Sequence, residues 1–139
     1  MAKTLRDVMS TNPVTCPSDA TVIEAARRMR DDDIGDVIVM EGDRVHGILT
    51  DRDIVVRAVA EAQSPSTTML HQICTSDVVT LSPDDDVKRA TELMKQKAVR
   101  RIPVVEDGRP IGIVSIGDLA IESDGEKALA DISAAKPNN

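Results

Sequence analysis

An internal repeat is the feature of this sequence that most constrains its fold. Aligned with itself at an offset of 65 residues, the chain matches 5–55 to 70–120 without a gap, and thirteen of the 51 pairs are identical. A repeat at one fixed offset indicates a duplicated structural unit. We therefore predict two copies of one unit, the first copy (5–55) and the second copy (70–120). The identical pairs are Leu5/Leu70, Val14/Val79, Thr15/Thr80, Asp19/Asp84, Val22/Val87, Ala25/Ala90, Met29/Met94, Val39/Val104, Glu41/Glu106, Arg44/Arg109, Gly47/Gly112, Ile48/Ile113 and Asp53/Asp118.

Both copies show the same order of elements, β-α-β-β-α. A short strand precedes an amphipathic helix, whose apolar residues follow the helical period from Val22 and Val87. Two strands joined by a Gly/Asp turn then form a hairpin, and a last helix begins near Asp51 or Gly117. This order predicts an α/β (α+β) fold, a tandem pair related by a pseudo-two-fold axis. The predicted strands are 14–16, 37–40, 45–50, 78–81, 102–105 and 110–115.

The repeat also suggests the domain organisation. A polar segment rich in Ser and Pro separates the copies and indicates a linker. After the second copy a tail remains, in which one short helix over 128–132 is expected. The predicted ranges are 1–62 for the first motif, 63–69 for the linker, 70–123 for the second motif and 124–139 for the tail.

Composition excludes several classes of function. The net charge of −7 argues against nucleic-acid binding, which needs a basic surface. No stretch approaches the roughly 18 apolar residues of a membrane span, and the N-terminus lacks a signal peptide's apolar stretch. We expect a cytoplasmic protein that binds neither nucleic acid nor membrane. Phe, Tyr and Trp are absent, so a bound base would have to be covered by aliphatic side chains.

The potential metal ligands and nucleophiles are few and scattered. Cys16, Cys74, His46 and His71 lack zinc-finger spacing, and no Cys-His or Ser-His constellation occurs. We therefore predict neither a metal site nor an enzyme, and we expect Cys16 to be a small core side chain.

The third strand of each copy ends in one shared pattern, Gly, two apolar residues, Thr or Ser, two variable residues, and Asp. The hydroxyl belongs to Thr50 or Ser115 and the carboxylate to Asp53 or Asp118. A carboxylate at this place can accept both hydroxyls of a ribose, as Asp or Glu does in dinucleotide-binding folds. The same residues also form an ordinary helix-capping motif. Recurrence at equivalent positions favours the binding interpretation.

Together with the stretch from Val99 to Glu106, these two segments resemble the CBS-domain family, over about residues 5–120. The resemblance implies a disc-like tandem module with two clefts for AMP, ADP, ATP, NAD or S-adenosylmethionine. It implies ribose contacts by the hydroxyl and carboxylate pairs, adenine contacts by the backbone at 14–15 and 79–80, and phosphate contacts by basic residues. The site residues so implied are Val14, Thr15, Thr50, Asp53, Val79, Thr80, Arg100, Arg101, Ser115 and Asp118.

The two sites are not expected to be equivalent, because Gly35-Asp36 of the first copy aligns with Arg100-Arg101 of the second. Arginine can bind phosphate oxygens through two parallel hydrogen bonds, whereas aspartate repels them. Alternation along a strand directs the two arginines to opposite faces, and we predict that Arg101 contacts the ligand. Arg52 aligns with Gly117 and could contact phosphate in either cleft.

The leading hypothesis is a regulatory module that binds an adenine nucleotide, forms a homodimer and changes the surface sensed by a partner protein. The alternative is a scaffold of the same fold whose clefts stay empty and which acts through partner proteins alone.

Overall fold

The computed structural model describes residues 3–120, which form two compact units. The first unit comprises residues 13–78, and the second unit combines residues 3–12 with residues 79–120. In chain order the elements are α1 (Leu5–Val8), β1 (Ser10–Thr11), β2 (Thr15–Pro17), α2 (Val22–Asp32), β3 (Asp36–Glu41), β4 (Arg44–Thr50), α3 (Asp51–Asp53), a π-helical turn (Ile54–Val59), α4 (Leu70–Ile73), α5 (Val87–Lys97), β5 (Arg101–Glu106), β6 (Arg109–Ser115) and α6 (Ile116–Ala120).

The first unit contains the predicted parallel crossover followed by a hairpin. Its sheet has the order β2-β3-β4, with β2 parallel to β3 and β3 antiparallel to β4. Helix α2 supplies Val22, Ala25 and Met29 to the core, which confirms the predicted apolar stripe. Cys16 is buried, as predicted. The strand expected over 14–16 is observed one residue later.

The second unit repeats the hairpin but differs at its first strand. The sheet has the order β1-β6-β5, and β1 runs antiparallel to β6. The prediction of a strand over 78–81 is wrong. Of these four residues, only Leu81 forms a β-bridge, and its partner is Val104. The residue that would continue this ladder on β5 is Pro103, which has no N–H to donate. In the first unit the aligned residue is Ile38, and its N–H donates to the Val14 carbonyl at 2.9 Å.

The start of each copy, together with the residues just before it, folds onto the sheet and helix of the other copy. In the first unit, the Val22 N–H at the start of α2 donates to the Thr68 carbonyl at 2.9 Å; in the second, the Val87 N–H donates to the Lys3 carbonyl at 3.1 Å. These donors would otherwise be unsatisfied at the helix start. The segment between the copies, expected to be a simple linker over 63–69, therefore caps helix α2. The short helix α4, which follows it at the start of the second copy, was not predicted.

In each unit, the close approach of this added segment to the hairpin depends on a glycine. Residues Ile48 and Thr75 exchange two backbone hydrogen bonds of 3.1 Å, which brings the Thr75 carbonyl against the neighbouring Gly47. A Cβ on Gly47 would lie 2.2 Å from that oxygen, and one on Gly112 would lie 2.7 Å from the Ser10 carbonyl oxygen. The shared glycine of the sequence pattern thus permits close backbone approach.

Both long helices end in a residue with left-handed backbone geometry. Asp33 has φ 54° and Ala98 has φ 53°, and the N–H of each donates to the carbonyl of Met29 or Met94, respectively. Glycine is the residue best suited to this position because it has no Cβ.

The Ala98→Gly substitution is expected to raise the free energy of unfolding by about 1 kcal/mol, because a left-handed alanine carries strain of roughly that size. Urea denaturation followed by circular dichroism would measure it. Ala90→Gly, in the buried interior of the same helix, serves as the control and should lower the free energy of unfolding by about 1 kcal/mol or more. A destabilised Ala98→Gly protein would contradict the assignment.

Three consecutive aspartates, Asp31, Asp32 and Asp33, stand at the end of α2 and make different interactions. Arg28 pairs with Asp32, and Arg30 pairs with Asp31 at 2.8 Å. The hydrogen bond from Arg30 lowers the pKa of Asp31. Asp33 occupies the left-handed position that ends the helix.

The final helix of the first copy is short and leads into the π-helical turn, in which the Ala60 N–H donates to the Val55 carbonyl at 2.9 Å. Three valines of this turn are exposed to solvent: the exposed fraction is 58% for Val55, 43% for Val56 and 64% for Val59.

Within residues 3–120, no helix combines the length and apolarity needed to cross a membrane. The helix expected over 128–132 lies outside the described residues.

Candidate functional site

In the second unit, the predicted hydroxyl and carboxylate lie at the start of α6 and contact each other. The Ser115 N–H donates to Asp118 Oδ2 at 2.8 Å, and the Asp118 N–H donates to Ser115 Oγ at 3.2 Å. This reciprocal pair is a capping box. Both residues are half-buried, and no described residue donates to the other carboxylate oxygen, Asp118 Oδ1. Among residues 3–120, the carboxylate therefore caps the helix through Oδ2 and receives no donor at Oδ1.

Arg101 lies beside this pair. It begins β5 and is the register partner of Ser115 on β6, so both stand at the same end of the hairpin. Its half-buried position contrasts with that of Arg100, which is exposed and precedes the strand. The Arg100 carbonyl accepts a hydrogen bond from the Ile116 N–H at 2.9 Å and anchors the start of α6. The structure thus brings Arg101, Ser115 and Asp118 together.

The predicted adenine-contacting backbone approaches the same strand. Leu81 is held against β5, since its N–H donates to the Pro103 carbonyl at 3.1 Å and its carbonyl accepts from the Val105 N–H at 2.8 Å. Val79 and Thr80 immediately precede this anchor, with Val79 half-buried and Thr80 exposed. The second unit therefore collects six of the predicted site residues around one hairpin, namely Val79, Thr80, Arg100, Arg101, Ser115 and Asp118.

The equivalent pair in the first unit is more enclosed. The Thr50 N–H donates to Asp53 Oδ2 at 2.9 Å, and the Asp53 N–H donates to Thr50 Oγ1 at 3.1 Å. Only 4% of Thr50 and 3% of Asp53 are exposed. The capping interaction is the same as in the second unit, but both side chains are buried.

Arg57, which was not among the predicted site residues, forms an ion pair with the second carboxylate oxygen of Asp53. Its Nε lies 3.8 Å from Asp53 Oδ1, and a guanidinium N–H donates to the Ile73 carbonyl at 3.1 Å and to Thr75 Oγ1 at 3.4 Å. The sequence signal was the spacing of four residues between Asp53 and Arg57, which places an ion pair on one helix face. Arg57 thereby connects the buried carboxylate to the segment after α4.

Replacing Arg57 with alanine is expected to lower the free energy of unfolding by about 1–2 kcal/mol, because a buried carboxylate and a carbonyl would lose a charged donor. Urea denaturation would detect the change. Arg52→Ala provides the matched control, since Arg52 is exposed on the same helical segment and should leave stability unaltered. Equal stability of the two variants would refute a structural role for Arg57.

The two units also differ in local charge. Asp36 of β3 is the register partner of Thr50, as Arg101 is of Ser115. Asp51 stands where the second copy has Ile116, and its carboxylate oxygen lies 3.3 Å from the position that a Cβ on Gly35 would occupy. The first unit therefore places acidic groups where the second places an arginine and an apolar residue.

The remaining predicted residues belong to the first unit. The Val14 carbonyl accepts the Ile38 N–H and is part of the sheet, while Thr15 is exposed on β2. Arg52 is exposed, and its N–H donates to the side chain of Asp51 at 2.8 Å. In this unit, the Val14 carbonyl, which belongs to the backbone predicted to contact adenine, already accepts a hydrogen bond within the sheet.

The potential metal ligands do not converge in the part of the chain that the structure describes. Within residues 3–120, no three His, Cys, Asp or Glu side chains are arranged to hold a metal ion. Cys16 and Cys74 are buried free thiols, and burial raises the pKa of each. Both thiols contribute to the core of the first unit.

Two copies that share a helix, a hairpin and a capping box after the hairpin define a tandem-repeat protein built from one small motif. The sequence profile of the CBS domain matches residues 5–59 and 70–125. The chain belongs to the CBS-domain family.

Known proteins resemble the chain over most of its length. The CBS domain-containing protein YhcV of Bacillus subtilis is 34% identical over 134 residues, covering 93% of this chain and 94% of that protein. Hypoxic Response Protein I, solved with two coordinated zinc ions, has a TM-score of 0.76 at 32% identity, covering 86% and 98%. The CBS domain pair of protein MJ0100, solved with 5'-methylthioadenosine and S-adenosyl-L-methionine, has a TM-score of 0.78 at 26% identity, covering 91% and 99%.

Proposed function

We propose that this CBS pair is a regulatory module that binds an adenosine-containing ligand at the hairpin of its second unit. The observation that carries the proposal is the juxtaposition of Arg101, Ser115 and Asp118, with one carboxylate oxygen free of donors from the described residues. The similarity to the MJ0100 pair supports it, because both ligands in that structure are adenosine derivatives.

Each of the three side chains has a distinct role in this proposal. Asp118 accepts hydrogen bonds from the ribose hydroxyls, since an ionised carboxylate is a strong acceptor. Ser115 holds that carboxylate in place through the capping box and presents its own hydroxyl to the ribose. Arg101 binds phosphate oxygens when the ligand is AMP, ADP, ATP or NAD. No other cofactor is required, because the module senses its ligand and does not transform it.

The first unit is proposed to bind such a ligand more weakly. Asp53 is nearly fully buried and its Oδ1 faces Arg57, so a ribose would have to displace an existing interaction. Asp36 and Asp51 would repel a phosphate group near that site. The same capping motif therefore has a structural role in one unit and a binding role in the other.

The response to the ligand is proposed to pass through a homodimer to a regulated protein partner. The exposed valines of the π-helical turn, Val55, Val56 and Val59, form an apolar face that a second copy can cover. Sedimentation with and without ligand would test this step, and a monomer under both conditions would exclude it.

Calorimetric titration with AMP, ADP, ATP, NAD and S-adenosylmethionine tests the binding proposal. Its first step is an absorbance spectrum, because a chain without Phe, Tyr or Trp absorbs almost nothing near 260 nm and co-purified nucleotide is immediately visible. Micromolar binding of one ligand is the expected result. An apo preparation that binds none of them would reject the sensor and favour the scaffold that acts through partner proteins alone.

A further inference from the structure

The ion pair between Asp53 and Arg57 joins a buried side chain to a partly exposed one. Asp53 is nearly fully buried, whereas 39% of the Arg57 side chain is exposed. The guanidinium stands at Asp53 Oδ1, because Oδ2 already accepts the Thr50 N–H in the capping box. Arg57 therefore lies at the oxygen that corresponds to Asp118 Oδ1 in the second unit.

The contact between these two side chains is an ion pair without a hydrogen bond. Arg57 Nε lies 3.8 Å from Asp53 Oδ1, whereas an N–H···O hydrogen bond spans roughly 2.7–3.2 Å. The guanidinium donates elsewhere, to the Ile73 carbonyl at 3.1 Å and to Thr75 Oγ1 at 3.4 Å. Two ribose hydroxyls would give the same carboxylate short, charge-assisted hydrogen bonds. A cis-diol can therefore compete with the existing contact.

The arginine is specific to the first copy. At the offset of 65 residues, position 57 corresponds to Glu122, an acid that cannot form the same ion pair. Arg57 also belongs to the π-helical turn, and such turns are uncommon and frequently mark functional positions. The first copy thus combines the shared capping motif with a cation placed at its carboxylate.

We propose that Arg57 is an autoinhibitory contact, in which its guanidinium takes the place of a ribose at Asp53 and its departure opens the first unit to a second adenosine-containing ligand. This role rests on the proposed function and deepens it. Because the Arg57 side chain borders solvent, it can leave while the core stays packed. A site that is open in only a fraction of molecules has its apparent affinity reduced by that fraction. Removing the guanidinium should therefore restore the affinity of the open site.

The same guanidinium connects the site to the segment after α4. Its hydrogen bonds to Ile73 and Thr75 exist only while the side chain is in place, so each of them favours the closed state. Weakening this anchor should open the site without any change at the carboxylate, since the two equilibria are linked. Thr75→Val removes one of the two acceptors and should raise the affinity of the first unit by about two- to fivefold.

Titration of the Asp118→Ala protein with adenosine measures the first unit alone, because that substitution disables the proposed site of the second unit. Adenosine carries the cis-diol without a phosphate, so the loss of a positive charge does not weaken the attraction of a phosphate. Adding Arg57→Ala is expected to increase the affinity by about tenfold or more. Arg57→Gln, which removes the charge but keeps more of the side chain, should do the same. Circular dichroism would verify that each variant is folded.

Three controls locate the expected gain in affinity. Arg28→Ala is the matched variant, since Arg28 forms an ion pair with Asp32 on helix α2 of the same unit, and it should leave the affinity unchanged. The deoxyribose analogue, 2′-deoxyadenosine, should show no gain, because it lacks one of the two hydroxyls. Adding Asp53→Ala should abolish the gain, which would place it at this carboxylate.

The outcomes distinguish the autoinhibitory role from the proposed function. If the wild-type protein binds an adenosine-containing ligand but folded Arg57→Ala and Arg57→Gln give no gain, the role of Arg57 is rejected while the proposed function stands. An equal gain with 2′-deoxyadenosine, or in Arg28→Ala, also overturns it. If neither the wild-type protein nor any variant binds adenosine, AMP, ADP, ATP, NAD or S-adenosylmethionine, both fail.

Discussion

Replacing Asp118 with alanine should weaken adenosine-ligand binding by roughly 100-fold or more. The proposed complex has two ribose hydroxyls donating to this carboxylate, and each hydrogen bond to a charged group contributes roughly 1.5–3 kcal/mol. The substitution also removes a helix cap, which costs about 1 kcal/mol of stability. Calorimetric titration of the variant, at a temperature where circular dichroism shows it to be folded, measures the loss.

Asp53→Ala is the control for Asp118→Ala, since it removes the equivalent cap from the first unit. Asp53 is more buried and is also paired with Arg57, so this variant should lose more stability than Asp118→Ala. It should nevertheless retain nearly full affinity for the ligand. Equal losses of affinity in both variants would mean that the effect comes from folding or that both units bind, and the proposed difference between them would be abandoned.

The Gly47→Ala substitution is expected to cause the largest loss of stability, about 3 kcal/mol or more. A Cβ at this position would meet the Thr75 carbonyl oxygen at 2.2 Å and its carbon at 3.0 Å. Both are backbone atoms, held by the paired hydrogen bonds between Ile48 and Thr75. Relief therefore requires the segment after α4 to move away, whereas inserting a methyl group into a packed core ordinarily costs about 1–3 kcal/mol. Urea denaturation followed by circular dichroism would measure the change.

Gly117→Ala is the matched control for this substitution. A Cβ on Gly117 would contact only Ser115 Oγ, at 3.6 Å, which is an ordinary van der Waals distance. Because alanine favours a helix over glycine, this variant should be as stable as the wild type or slightly more so. A Gly47→Ala protein with wild-type stability would show that the segment does not approach the strand as closely as described.

Local patterns in the sequence were sufficient for several features. The apolar stripe from Val22 to Met29 predicted helix α2 and its buried face, because helix periodicity is set by residues three and four apart. The Gly/Asp turns predicted both hairpins. The segment ending in Ser115 and Asp118 was recognised from spacing alone, since its two side chains contact each other within one helical turn.

Other predictions failed or were incomplete because they depended on distant residues. The strand expected over 78–81 has the same apolar character as 14–16, but its ladder is interrupted by Pro103, more than twenty residues further along. The pairing of Asp53 with Arg57 could have been suggested from spacing. The hydrogen bond from Arg57 to the Ile73 carbonyl could not, because nothing local connects those two residues.

The amino-acid sequence by itself determined the duplicated unit, its helix and hairpins, the paired capping segments and the resemblance to CBS domains, since each is encoded by neighbouring residues or by the fixed offset between copies. Tertiary structure decided that Asp53 is buried whereas Asp118 is half-buried, since both carboxylates stand in the same pattern of Thr or Ser, two variable residues and Asp. It also decided that the start of each copy pairs with the hairpin of the other copy. Both outcomes arise from contacts between residues far apart in the chain, and burial and hydrogen-bond partners exist only after those contacts form.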